Sequence, residues 1–302
     1  MKGDDTINKK TIKNLKIFGA VAIITVSSYT ISDKVINNTA EFNNTIIKEQ
    51  SIDELNDYVL QGICKVDDKY LITAYDSKHK KNSIIYILDE DLKRYRIREL
   101  NTDSHVGGIT YDNKHNNIWI TDIDGTVTAY DKDDVLSYRY LIEPKFKNIY
   151  VGEELENFFG IHSVAYITYN DNKIYVGNFN RSKKSIIKEY NLLEDGNIDT
   201  SKYKSYNISD YVQGITFYED KDKEYIITSS SYGRLFKSEL KIYDFDTLKL
   251  EKVLKTKAMM EEVIVDNDKL ITLYESNAEI YKSVKENNDI IISDIDKIIT
   301  KK

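Results

Sequence analysis

Two sets of polar residues recur at fixed places along this chain. Gln61, His105, His162, Gln213 and Glu261 each stand just before an apolar strand pattern. Asp76, Asp122, Asn178, Tyr232, Arg234 and Glu275 stand just after the strand pattern that follows. Amide, imidazole, phenol and carboxyl groups gathered in one place make a binding site for a polar ligand. Two acids across a cleft can also act as an acid and base pair, so Glu261 and Glu262 are the candidate catalytic groups. Arg234 closes the stretch "SSSYGR" (229–234), where Gly233 allows a tight turn and the guanidinium offers a forked donor to a carboxylate or phosphate. Its partner is either a ligand or one of the acids Glu261, Glu262 and Glu275. The expected ligand-binding residues are Gln61, His105, His162, Gln213, Tyr232, Arg234, Glu261 and Glu275. The competing reading is that such groups cap backbone or hold water.

Other chemistry is thinly represented. There is no Gly-x-Ser-x-Gly elbow, no His-Glu-x-x-His and no phosphate loop. "DIDG" (122–125) and "DKDD" (131–134) resemble fragments of calcium loops but lack the ligand spacing and the terminal glutamate, so they read as turns. No metal site and no cofactor is expected. His79 and His115 fall in expected exposed loops, away from the two polar sets. Cys64 is the single cysteine, so it forms no intramolecular disulfide, and its place in a strand pattern makes it a packed thiol.

The elements that must position these residues come from a repeat. Residues 58–77, "YVLQGICKVDDKYLITAYDS", and 211–234, "YVQGITFYEDKDKEYIITSSSYGR", share an order of aromatic, Gln-Gly-Ile, acidic turn and a second strand ending near Thr. Three further copies lie at 105–131, 162–191 and 259–281, about 45–57 residues apart, which is the period of propeller blades. Each copy alternates apolar and polar positions and is rich in β-branched residues, the pattern of strands, with Asn and Asp in the turns. Third strands are expected at "SIIYILD", "GTVTAYD", "SIIKEYN", "ELKIYDF" and "AEIYKS", and fourth strands at "YRIREL", "YRYLI", "KYKSYNI", "LEKVL" and "IIISDI". Four antiparallel strands repeated five times describe an all-β, five-bladed β-propeller of residues 55–302. Closure could borrow a strand from residues 41–50. In that geometry the residues before the first strand and after the second converge on one face around the axis. Gly-Ile would stand where the innermost strands crowd the channel.

The "QGI" and "GGI" starts, over residues 58–300, resemble secreted propellers of the quinoprotein or lactonase-like kind. The stretch "YVQGITF" through "ITSSSYGRLF", followed by "MEEVIVDNDKLITLYE", also resembles the five-bladed glutaminyl cyclases. That family carries a Phe-Thr-Gln-Gly-Leu start, a tail with Tyr-Gly, and then Glu-Gly-Ile-Thr. The resemblance implies that Gln213, Tyr232, Glu261 and Glu262 are the positions to watch. Here Glu262 replaces the family's glycine, the Thr-Gly pair of the tail is lost, and the loop is two residues longer.

Composition bounds the partners. Of 302 residues, 41% are hydrophobic and 31% charged, as in a soluble globular protein. The net charge of −7 argues against nucleic acid, which requires a concentrated basic surface. Residues 1–32 pair a Lys-rich start with the apolar run "IFGAVAIITVSSYTIS" (17–32), the layout of an export signal or N-terminal membrane anchor. Residues 33–54 read as a polar linker. The expectation is a monomeric extracytoplasmic propeller that binds a small molecule, glycan or peptide at its channel mouth, with the membrane met only through the N-terminal segment. A glutaminyl-cyclase-like or other carboxylate-dependent enzyme, and a protein-interaction scaffold, are the alternatives.

Overall fold

The computed structural model describes residues 39–52, 57–122, 124–138, 142–156, 162–284 and 289–300. The apolar run 17–32 and the export reading that rests on it lie outside them. No helix among the described residues is long and apolar enough to cross a membrane.

The strand patterns resolve into five four-stranded antiparallel sheets. Strand β1 (Ile46–Gln50) comes first in the chain. Blade one is β2 (Tyr58–Val66), β3 (Lys69–Asp76), β4 (Ile84–Leu88) and β5 (Arg94–Glu99). Blade two is β6 (Ile109–Asp112), β7 (Asn117–Thr121), β8 (Thr126–Asp131) and β9 (Pro144–Tyr150). Blade three is β10 (Tyr166–Asn170), β11 (Lys173–Gly177), β12 (Ile186–Leu192) and β13 (Ile198–Asn207). Blade four is β14 (Val212–Asp220), β15 (Lys223–Ser230), β16 (Glu239–Asp244) and β17 (Leu250–Lys255). Blade five is β18 (Met260–Asp266), β19 (Lys269–Tyr274) and β20 (Ile290–Asp294), completed by β1, which pairs antiparallel with β20. The segment read as a linker therefore contributes the strand that closes the ring.

The first strand of each blade packs against the first strand of the next, and β18 returns to β2, so five blades close the circle. One buried apolar cluster fills each junction: Ile85 and Leu71 meet Ile109 and Ile120 between blades one and two, and Leu60 and Ile72 meet Ile271 and Ile290 between five and one. Cys64 lies in the first of these clusters, 4% exposed, and burial pushes its thiol far up. It is a packed side chain, as its strand position implied.

Each hairpin between first and second strands turns through a residue with positive φ: Asp67, Asn116, Asn172, Lys221 and Asn267. Four of the five are Asn or Asp, which tolerate that conformation best among residues with a side chain.

The recurring Gly-Ile has a steric cause. A Cβ on Gly62 would stand 2.9 Å from the Cα of Gly108, one on Gly108 2.9 Å from the Cα of Tyr166, and one on Gly214 2.9 Å from the Cα of Glu262. The innermost strands approach too closely for any side chain directed at the neighbour. In blades one and two the Thr of the second strand is explained as well. Thr73 Oγ1 accepts the Gly62 N–H at 3.0 Å and Thr121 Oγ1 the Gly108 N–H at 2.8 Å, satisfying donors that the ladder leaves unpaired.

Two strand expectations are corrected. "AEIYKS" (278–283) lies in a 3-10 helix, Glu279–Val284, and "IIISDI" supplies the third strand of blade five rather than the fourth. The fourth strand of blade two is Pro144–Tyr150, after a short helix, Lys132–Leu136, capped by the Asp131 side chain. The expected fourth strand "YRYLI" (138–142) lies largely outside the described residues, and in blade five Ile290–Asp294 takes the third place while β1 takes the outer edge.

Candidate functional site

Strands β2, β14 and β18 share a distortion that positions the site. Their pairing skips a residue between Leu60 and Ile63, between Val212 and Gly214, and between Met260 and Glu262. The bulged residues include Gln61, Gln213 and Glu261, the polar members of the first set. A bulge bends the strand and re-aims the side chain of the extra residue, so these groups leave the alternation of the sheet.

Gln213 Nε2 donates to Glu261 Oε2 at 2.9 Å, joining blades four and five. The Glu261 and Glu275 carboxyls pair with each other, and Glu261 is 6% exposed. The Tyr281 hydroxyl and the Gln61 amide donate to Glu275, and the Arg234 charge acts on it as well. Arg234 lies over the Tyr281 ring, 4.4 Å from its centroid, in a cation–π contact. The Tyr75 hydroxyl meets that of Tyr281, and the Tyr75 ring is tilted against His105 at 4.2 Å and stacked with His79 at 5.5 Å. Gln61, Tyr75, His105, Gln213, Arg234, Glu261, Glu275 and Tyr281 thus form one connected group from blades one, two, four and five.

Electrostatics divides the two acids. Burial, the Glu275 charge and the hydrogen bond between them push Glu261 well up, so the pair keeps a proton that a lone glutamate would lose. Burial also raises Glu275, to about 7, against the lowering effect of Glu261, Tyr281, Arg234 and Gln61. His105 goes the other way: burial, then the His79 charge, push it down to about 4, so its imidazole is neutral.

Glu262, the other candidate acid, is 2% exposed. Its Oε1 accepts the Val263 N–H at 3.0 Å and interacts with the Ile215 backbone, close against Gly214. Burial pushes it well up, and it packs between the innermost strands of blades four and five.

The remaining expected residues are engaged elsewhere. His162 is exposed, its Nδ1 paired with the Gly152 carbonyl at 2.9 Å and its ring edge-on to Tyr150. The Tyr232 hydroxyl donates to Glu239 at 2.6 Å and accepts from Lys241 at 3.0 Å, in a cluster that includes Lys255. Asp76 accepts the N–H groups of Lys80 and Lys81 at 2.7 and 3.2 Å, Asp122 accepts from Ser104, and Asn178 bonds the backbone of Glu156 and Ile186. A residue that ends the second strand begins a loop, and its side chain serves that loop first. His79, expected in an exposed loop, instead stacks on Tyr75 with a buried Nε2. Sequence reasoning missed Tyr75 and Tyr281, which carry no signal beyond being two of 24 tyrosines. No group of three or more potential metal ligands occurs among the described residues.

The acids make stability depend on pH. Between the ordinary glutamate value of 4.5 and their raised folded values, the folded state binds more protons, so stability falls as pH rises. His105, depressed from 6.5 to about 4, has the opposite slope below pH 6.5, where stability falls with falling pH. Above that pH the acids set the slope, and the buried Cys64 thiol, also raised, adds to it in the same direction as pH approaches its ordinary value of 9. The thermal midpoint is expected to decline from pH 6.5 to 9, and Glu261→Gln should flatten the decline in scanning calorimetry. A wild-type midpoint independent of pH over this range would refute the assignment.

This is a five-bladed β-propeller with a shared-proton carboxyl pair at one end of its channel. No protein-family model matches the sequence, and neither does any curated protein. Among solved structures the chain is similar to the glutaminyl cyclase of Myxococcus xanthus, with a TM-score of 0.52 and 9% identity, over 82% of this chain and 96% of that one. It is also similar to a chain of a nidogen/laminin complex (TM-score 0.45, 13% identity, 74% of this chain and 78% of that one). A third is the hydrazine synthase of Kuenenia stuttgartiensis (TM-score 0.43, 12% identity, 76% and 58%). At 9% identity the likeness to the cyclase is one of fold alone.

Proposed function

We propose that the channel mouth binds a ligand carrying a primary amine: a small molecule, an amino sugar or the N-terminus of a peptide. The observation that carries this reading is the Glu261–Glu275 pair, one carboxyl buried and the other half-buried, joined by a hydrogen bond whose proton sits between two acceptors. An ammonium group can take the place of that proton and donate to both carboxylates. The Tyr75, His105 and Tyr281 rings beside the pair suit a cation, whose charge is attracted to aromatic faces. Arg234 suits a carbonyl or carboxylate on the same ligand.

Titration calorimetry with short peptides and their N-acetylated counterparts tests this. Acetylation is expected to abolish binding, and equal affinities would end the proposal. Because Glu275 must be ionised and titrates at about 7, affinity should fall about tenfold between pH 8 and pH 6. Arg234→Ala should weaken binding of a peptide by about 1.5–3 kcal/mol, as for a charge-assisted hydrogen bond, with little change in stability.

A second reading follows from the same pair and from the glutaminyl cyclase fold. An N-terminal glutamine held there could cyclise. Its α-amine nitrogen attacks the side-chain carbonyl carbon, the ionised carboxylate takes the amine proton, and the protonated one gives its proton to the departing ammonia. Ammonia release from a Gln-terminated peptide, lost in Glu261→Gln, would favour this activity over binding alone. Location outside the cytoplasmic membrane, by residues 1–32 acting as signal or anchor, belongs to the same proposal. Recovery of the intact chain from the soluble cytoplasmic fraction would count against it.

A further inference from the structure

The turn that carries Arg234 continues into Leu235 and Phe236, which are 71% and 51% exposed. The 3-10 helix that carries Tyr281 presents Ile280, 36% exposed, one residue earlier. Arg234 and Tyr281 are in contact, so the two segments meet beside the carboxyl pair, and each carries exposed apolar side chains within two residues of that contact. Gly233, at φ +79° with nothing within 4 Å of a Cβ built on it, lets the turn project from blade four. Large apolar side chains left in solvent beside a polar, concave site mark a contact surface rather than a core.

We infer that Leu235, Phe236 and Ile280 form a lip that receives an apolar second residue of a peptide whose N-terminal amine sits at Glu261 and Glu275. The inference rests on the amine-binding reading above and narrows its ligand to a peptide N-terminus. Charge and polarity run in the order such a ligand requires. The acids for the ammonium lie innermost, the Arg234 guanidinium for the first carbonyl comes next, and the apolar side chains are one and two residues further along the turn. A free amine or an amino sugar has nothing to place on the lip.

The test uses the tripeptides Gln-Phe-Ala, Gln-Ser-Ala and N-acetyl-Gln-Phe-Ala, titrated against the whole chain at pH 8. Gln-Phe-Ala is expected to bind at least fivefold more tightly than Gln-Ser-Ala. The double variant Leu235→Ser/Phe236→Ser should erase that difference while leaving the affinity for Gln-Ser-Ala and the thermal midpoint unchanged. Ile280→Ser serves as an independent variant and should reduce the preference in the same direction. Amine-dependent binding with no preference for Phe would overturn the lip and leave the amine site standing. Binding of the acetylated peptide as tight as that of the free one would overturn the amine site itself. Absence of binding by all three would overturn both. Concentration-dependent dimerisation in sedimentation, lost in the double variant, would assign the lip to a second copy of the chain and overturn the peptide proposal.

Discussion

Glu275→Gln is expected to remove amine binding while making the protein more resistant to heat above neutral pH. Glu275 is the member of the pair that ionises near pH 7, and the surrounding donors from Gln61 and Tyr281 favour its charged form. An ammonium ligand therefore depends on it for its counter-charge, and losing one partner of a desolvated charge pair costs roughly 2–5 kcal/mol. The corresponding change at Glu261 should also weaken binding, because the ammonium donates to both carboxylates and the amide that replaces one of them carries no charge. Stability moves in the other direction. The wild-type fold must keep a carboxylate in a largely buried place once pH exceeds about 7, and a neutral amide removes that burden. Calorimetric titration and scanning calorimetry at pH 8 read the two effects separately. Retained affinity in Glu275→Gln would show that the ligand does not use this charge. A lowered midpoint would show that the pair holds the blades together instead.

Gly214→Ala should be among the most destabilising single substitutions in the chain, by roughly 3 kcal/mol or more. A methyl at this position would stand 1.8 Å from Glu262 Oε1 and 2.9 Å from the Glu262 Cα. The first contact requires the carboxyl to abandon its bond to the Val263 N–H, and the second is with backbone that cannot move without shifting β18. Glu262→Gly in the same chain restores the residue type found at Gly62, Gly108 and Gly214 and should recover part of the loss, since it relieves the first contact and leaves the second. Urea unfolding of the single and double variants measures both terms. A loss under about 1 kcal/mol for Gly214→Ala would mean that the blades can separate at the axis without cost, contrary to the packing described.

The blades were legible in the sequence because each is written locally. Alternation sets which face of a strand is apolar, and Asp67, Asn116, Asn172 and Asn267 mark hairpin turns by their tolerance of positive φ. Gly62, Gly108 and Gly214 announce close backbone approach, and Cys64 stands at an apolar position. Five periods imply five blades. The positions of Gln61, Gln213 and Glu261 around the axis were legible for the same reason, since they occupy the same place in their repeats.

Where those side chains go was decided elsewhere. Bulges in β2, β14 and β18 release Gln61, Gln213 and Glu261 from the pleat, and a bulge depends on how the strand is matched to its partner, not on the residue itself. Tyr281 reaches Glu275 only because residues 279–284 coil as a 3-10 helix while 290–294 and the distant segment 46–50 complete the sheet. His79 joins the mouth through stacking on Tyr75, whereas His162 and Tyr232, which hold repeat positions equal to those of the site, turn to Gly152 and to Glu239. Repeat position is set by chain period, which sequence carries directly. Side-chain partnership is set by distances between residues far apart in the chain, and those distances come into being only when the ring closes.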